Sequence, residues 1–124
     1  MAEKEDPVKI HREGTSLADK GECKEAAEKF MQASELYHKL GNFFDASYMR
    51  FKAAECNFML KEYETAVERF LKSANMAFEK GFDRFGVSAL EYARDCYKAL
   101  KKKKEEAKLD RKIKELKTKL AEAP

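Results

Sequence analysis

The sequence predicts an all-α protein: a stack of antiparallel helical hairpins, about six helices in a single domain over residues 1–124. Three observations predict it. Helix formers dominate a chain that is 44% hydrophobic and 40% charged, with only 2 Pro and 5 Gly; strand-rich folds use more Val, Ile, Thr and Gly. Turn signals recur every twenty residues, with Gly21, Gly41 and Gly81 in three slots and Lys61 and Lys101 in the other two. One segment is used twice: "KGECKEAAEKFMQAS" from Lys20 returns as "LKEYETAVERFLKSA" from Leu60.

The first helix is expected over residues 7–20, with Asp6 as N-cap and Pro7 at the first helical position. Gly after "DK" at 21 suits a left-handed C-terminal cap. The second, over 23–40, carries Cys23, Ala26, Ala27, Phe30, Ala33 and Tyr37 on one face. Gly41 closes it, and the third runs over 43–60. The fourth, over 62–79, repeats the second through Tyr63, Ala66, Val67, Phe70 and Ala74. The fifth spans 83–101 and echoes the third: Ala53, Cys56 and Leu60 return as Ala93, Cys96 and Leu100. The sixth, over 104–121, carries Leu109, Ile113, Leu116 and Leu120. Because "KKKKEE" lacks a Gly, one continuous helix over 83–121 is the alternative. The units are then 7–41, 42–81 and 82–121, each a hairpin that buries its apolar face only by stacking.

Small residues are as telling as large ones. Ala26 and Ala66 let helices approach closely, and Phe30 and Phe70 fill the gap one turn later. The cysteines Cys23, Cys56 and Cys96 fall at apolar helical positions and form no CxxC, so they read as small buried thiols in a reducing compartment. Two distant histidines, His11 and His38, supply too few ligands for a metal site. No cofactor is expected. The opening "MAEKEDPVK" has no apolar leader, and no run reaches the apolar length of a membrane span. A cytoplasmic protein is expected.

The chain resembles the tetratricopeptide repeats. Unit one shows Gly14, Leu17, Gly21, Cys23 at the usual aromatic position, Ala26, Phe30 and Ala33. Unit two shows Ala54, Lys61, Tyr63, Ala66, Phe70 and Ser73. Unit three fits only in its first helix, and its second helix reads as a cap. The family unit is about 34 residues, and the longer hairpin here, "KAAECNFMLKEYETAVERFLKSA", is similar to the helical repeats of soluble NSF-attachment proteins. Those proteins have more helices and an acidic end that engages an ATPase, whereas this chain ends basic. A second resemblance, carried by "GTSLADKGECKEAAEKFMQASELY", is to the microtubule-interacting-and-trafficking module, a three-helix domain; the recurrence at forty residues favours the longer array.

The tetratricopeptide resemblance implies a right-handed stack whose odd helices line a concave groove. Carried over by position, the lining is Val8, His11, Thr15, Ala18 and Asp19, then Tyr48, Phe51, Glu55, Phe58 and Met59, then Ser88, Glu91, Asp95 and Lys98. The core of the expected site is His11, Thr15, Tyr48, Phe51, Glu55, Phe58, Glu91 and Asp95, and its implied occupant is a peptide or helix of a protein partner. Family members that clamp a terminal carboxylate place Lys and Asn at positions filled here by His11, Thr15 and Lys52, so that clamp is not expected.

The sequence shows no HExxH, phosphate loop or GxSxG, and no enzyme is expected. Carboxylates sit beside Lys at helical spacing, as in Glu25–Lys29 and Glu64–Glu68–Lys72, and read as solvated pairs. Charge is uneven: 11 basic and 4 acidic residues lie between Lys98 and Lys119. Lys101, Lys102, Lys103, Lys104, Lys108, Arg111 and Lys112 form a basic patch that suits an anionic partner. Few aromatics accompany it, so nucleic acid is the weaker choice. The apolar stripe of the last helix is expected to cover the third hairpin; if left free, it would pair two copies as a homodimer.

Overall fold

The computed structural model describes residues 5–123 and holds six helices: α1 (Pro7–Asp19), α2 (Cys23–Lys39), α3 (Phe43–Met59), α4 (Tyr63–Glu79), α5 (Asp83–Ala99) and α6 (Lys103–Glu122). No strand occurs among the described residues. The opening residues 1–4, read above as part of a stretch without an apolar leader, lie outside them. Each expected helix is present to within two residues at either end. The choice between one long helix and two after residue 83 resolves to two, α5 and α6.

The five connections share one geometry. At each, a residue with positive φ follows the helix: Gly21, Gly41 and Gly81 at about 80° and Lys61 and Lys101 at 62° and 59°. The next amide bonds back to the helix, as Glu22 N to Leu17 O at 2.9 Å, and the same bond joins Asn42 to Tyr37, Glu62 to Asn57, Phe82 to Ala77 and Lys102 to Tyr97. The carbonyl of that same residue then starts the following helix, as Ala26 N to Glu22 O at 3.0 Å. One residue thus ends one helix and begins the next, and the chain must fold back on itself. Only α1 has a side-chain cap, Asp6 Oδ1 accepting from Val8 N at 2.9 Å.

Each helix packs on its neighbours in the chain. Ala26, Ala66, Phe30 and Phe70 are fully buried, as close helix approach requires. The core forms two clusters, and α3 serves both: Met49, Ala53 and Cys56 join the cluster with α1 and α2, while Phe51 and Ala54 join the one with α4, α5 and α6. Two buried serines fix α3 between its neighbours. Ser34 of α2 donates to the Ala46 carbonyl at 2.6 Å, and Ser73 of α4 donates to the Ser47 carbonyl at 2.7 Å. Among the glycines, helix approach is closest at Gly86, where an added Cβ would lie 2.7 Å from the Phe78 ring.

α6 folds back on α5. Ile113 is 1% exposed and Leu109 8%, with Leu116 and Leu120 half-buried beside them. Ion pairs lock the seam, Arg94 to Asp110 and Lys117 to Glu91, both at 2.9 Å. The stripe that the homodimer reading required to be free is seated within the chain. The solvated pairs are corrected. Lys29 reaches Glu13 of α1 at 3.0 Å rather than Glu25, and no ion pair joins Glu64, Glu68 and Lys72 among the described residues. The pairs that do form at helical spacing within one helix, Lys52–Glu55 and Lys114–Asp110, have a half-buried partner, whereas fully exposed pairs gain too little to fix two long side chains.

Candidate peptide-binding surface

The residues carried over as groove lining do not form one open surface. Phe51 is only 8% exposed. Phe85 and Tyr92 of α5 stand over it at 5.4 and 5.0 Å between ring centroids, and Phe70 packs against both Phe51, at 5.2 Å, and Tyr92, at 5.3 Å. Its place in an open groove is therefore corrected: Phe51 is the seat on which the third hairpin docks. His11 is half-buried, packed edge-on against Phe30 and Tyr37, with Nδ1 3.4 Å from the Tyr37 hydroxyl. Thr15 is exposed and returns its hydroxyl to the His11 carbonyl at 3.1 Å. Phe58 packs edge-on against Tyr63 at 5.2 Å. Glu55 pairs with Lys52 at 3.1 Å. Glu91 turns to Lys117 of α6, and Asp95 lies exposed beside Arg94.

A different surface takes shape around Tyr48. The N-terminal halves of α3 and α5 lie side by side, and their aromatic side chains meet along the seam. Phe44 contacts Phe82 at 5.1 Å and Phe85 at 5.3 Å; Tyr48 contacts Phe85 at 6.0 Å. These centroid distances and mostly edge-to-face angles fit favourable ring pairs. The strip is rooted in the core through Phe51 and Phe70, and its outer members remain open: Phe44 is 41% exposed, Phe82 36% and Tyr92 41%. At the same end of the molecule, Lys80 lies 4.1 Å over the Phe43 ring. The repeat reading missed Phe44, Phe82, Phe85 and Tyr92 because their counterparts forty residues away are Lys4 or Arg84, Asn42, Asp45 and Lys52. The available signal was aromatic density within residues 43–51 and 82–92.

The expected basic patch is exposed throughout: Lys101, Lys102, Lys103, Lys104, Lys108, Arg111 and Lys112 all face solvent. None of them makes an ion pair among the described residues. Lys108, Arg111 and Lys112 border a cleft of about 610 Å³ between α4 and α6, together with Glu105, Glu115 and Leu71.

The thiols are poor nucleophiles where they are buried. Burial pushes Cys56 up to about 11 and Cys96 up to about 12, so little thiolate exists at neutral pH. Cys23 is half-buried beside Cys56. No group of three or more His, Cys, Asp or Glu side chains suits a metal among the described residues. No helix there is long and apolar enough to cross a membrane. No known family, curated protein or solved structure matches the chain.

Proposed function

We propose that the chain is a tetratricopeptide-like interaction module, an adaptor rather than an enzyme, that binds a peptide or helix of a protein partner along the aromatic seam. The observation that carries the reading is the α3/α5 strip, with Phe44, Phe82 and Tyr92 open above buried Phe51. Aromatic anchors on a rigid support supply much of the energy at protein interfaces, and a row of rings along a helix pair suits an amphipathic helix or an extended segment. The long hairpins keep the likeness to soluble NSF-attachment proteins, or to a trafficking-type helical module, as the lineage within this proposal, and a cytoplasmic setting goes with it.

The test is capture of a partner from native lysate by the wild-type chain and by a Phe44→Ser, Tyr92→Ser double variant. Each ring is expected to contribute about 2 kcal/mol to capture, so the double variant should lose it. Its melting temperature should fall, because Tyr92 also covers Phe51 and Phe70, so capture is compared at a temperature where circular dichroism shows both chains fully helical. Capture that survives the double substitution overturns the reading.

A second reading rests on the seven exposed basic residues from Lys101 to Lys112, none of which is in an ion pair among the described residues. They suit an anionic partner, whether a membrane surface or nucleic acid. Binding of that kind must weaken steeply with salt, since each neutralised phosphate releases counterions. Failure to bind RNA, DNA or acidic vesicles at low salt removes it.

A further inference from the structure

Arg50 has no obvious employment in the fold. It projects from α3 into the crevice between α2 and α4, away from the α5 seam. Its Nε is shielded from solvent yet has no hydrogen-bond partner, and no ion pair among the described residues involves it. Buried polar groups are nearly always satisfied, so an orphan of this kind calls for a partner. Burial, and after it the charge of Arg69, pulls the guanidinium below its usual range, with Glu35 and Glu68 opposing. An arginine nevertheless stays charged in a protein. A half-buried guanidinium whose Nε–H finds no acceptor is a standing cost to the fold.

Two cavities open on either side of this side chain. One of about 310 Å³ brings Arg50 together with Lys39, Lys72, Glu35 and Glu79. The other, of about 560 Å³, brings Arg50 and Lys72 together with Arg69 and Glu68. Arg69 is already committed through Nη1 to the Asn57 side chain at 2.8 Å. Arg50 and Lys72 are the two cations common to both cavities. Across the pair of cavities four cations face three carboxylates, which leaves room for one negative charge. A dianionic phosphate would overshoot that balance against Glu35, Glu68 and Glu79. Met31, Leu71 and Met76 supply apolar wall beside the charges.

We propose that Arg50 and Lys72 form a binding site for a single carboxylate, the Asp or Glu side chain of an acidic peptide laid between α2 and α4. Planar guanidinium matches planar carboxylate in a two-bond fork, and Lys72 closes over it from the rim. This site is separate from the aromatic seam and stands or falls independently of it.

The test is a titration of the full chain, followed by the side-chain Nε–H resonances of arginine. The Arg50 Nε–H is shielded from water and should exchange slowly enough to be seen. Three capped pentapeptides serve as probes, Ala-Ala-X-Ala-Ala with X as Glu, Gln or phosphoserine. The Glu peptide should shift the Arg50 resonance saturably, and the Gln peptide should not. Lys72→Gln, an exposed change that leaves the core intact, should weaken the Glu response at least threefold. Arg50→Met should fold at least as stably as wild type and leave the neighbouring Met76 methyl signal unmoved by the Glu peptide. Equal shifts from the Glu and Gln peptides, an unaltered response in Lys72→Gln, or tighter binding of the phosphoserine peptide would each overturn the carboxylate site.

Discussion

Lys61 and Lys101 occupy the left-handed slot that glycine fills at the other three turns. An L-residue there places Cβ against the following carbonyl, at roughly 1–2 kcal/mol. At Gly21, Gly41 and Gly81 the space that a Cβ would take is open, so conformation alone decides the preference. Lys61→Gly and Lys101→Gly should therefore each stabilise the chain by about 1 kcal/mol, offset in part by the greater freedom of glycine in the unfolded state. Urea unfolding checks this, and a loss of stability in both variants would show that the lysine side chains have a compensating contact. The position of these turns was legible from the twenty-residue spacing. The tension at them was not, because a Lys in a turn slot reads in sequence as an ordinary surface residue.

At the scale of the element, the helices were legible because two signals agreed: apolar residues at helical spacing, and a turn residue at a constant interval. The break before α6 was the exception, since Lys101 gives no glycine signal. Its physical cause is the apolar stripe of α6, which gains burial only if the chain reverses onto α5. Ile113 is the centre of that contact, and Ile113→Ala should cost about 2–5 kcal/mol. Leu116→Ala, at the half-buried edge, should cost clearly less. Thermal unfolding distinguishes the two, and equal small losses would mean that α6 contributes little to the third hairpin. The aromatic seam was legible only in part. Tyr48 was expected at the surface, but its companions Phe82, Phe85 and Tyr92 belong to no repeat. Phe82 and Phe85 meet Phe44, and Tyr92 meets Phe51, only because the start of α5 lies against α3, forty residues away in the chain.

At the scale of the whole molecule, the third hairpin does not repeat the docking face of the second. The second hairpin presents Phe44, Tyr48, Phe51, Phe58 and Phe70 toward the third. The positions forty residues on are Arg84, Ser88, Glu91, Lys98 and Asp110. Every aromatic on the docking face has become polar. Two of these polar groups already have partners: Glu91 holds Lys117, and Asp110 holds Arg94 and Lys114. Hydrogen bonds from Lys114 and Arg94 keep the Asp110 carboxyl below its usual range. Anything packed on these groups would have to desolvate them with little apolar gain. The inner face differs, because it depends on being covered. A chain ending at Gly81 keeps α1 to α4 but bares Tyr48, Phe51 and part of the Phe70 surround. It should bind a hydrophobic dye or self-associate, melt at a lower temperature, and unfold with a reduced dependence on denaturant because less surface is exposed on unfolding. The full chain should bind less dye, since Phe51 and most of Tyr48 are covered, and only the outer rings of the seam remain open. If the shortened chain instead melts as sharply and at the same temperature as the full one, without dye binding, the hairpins are independent units and Phe51 is not the joint that makes the stack cooperative.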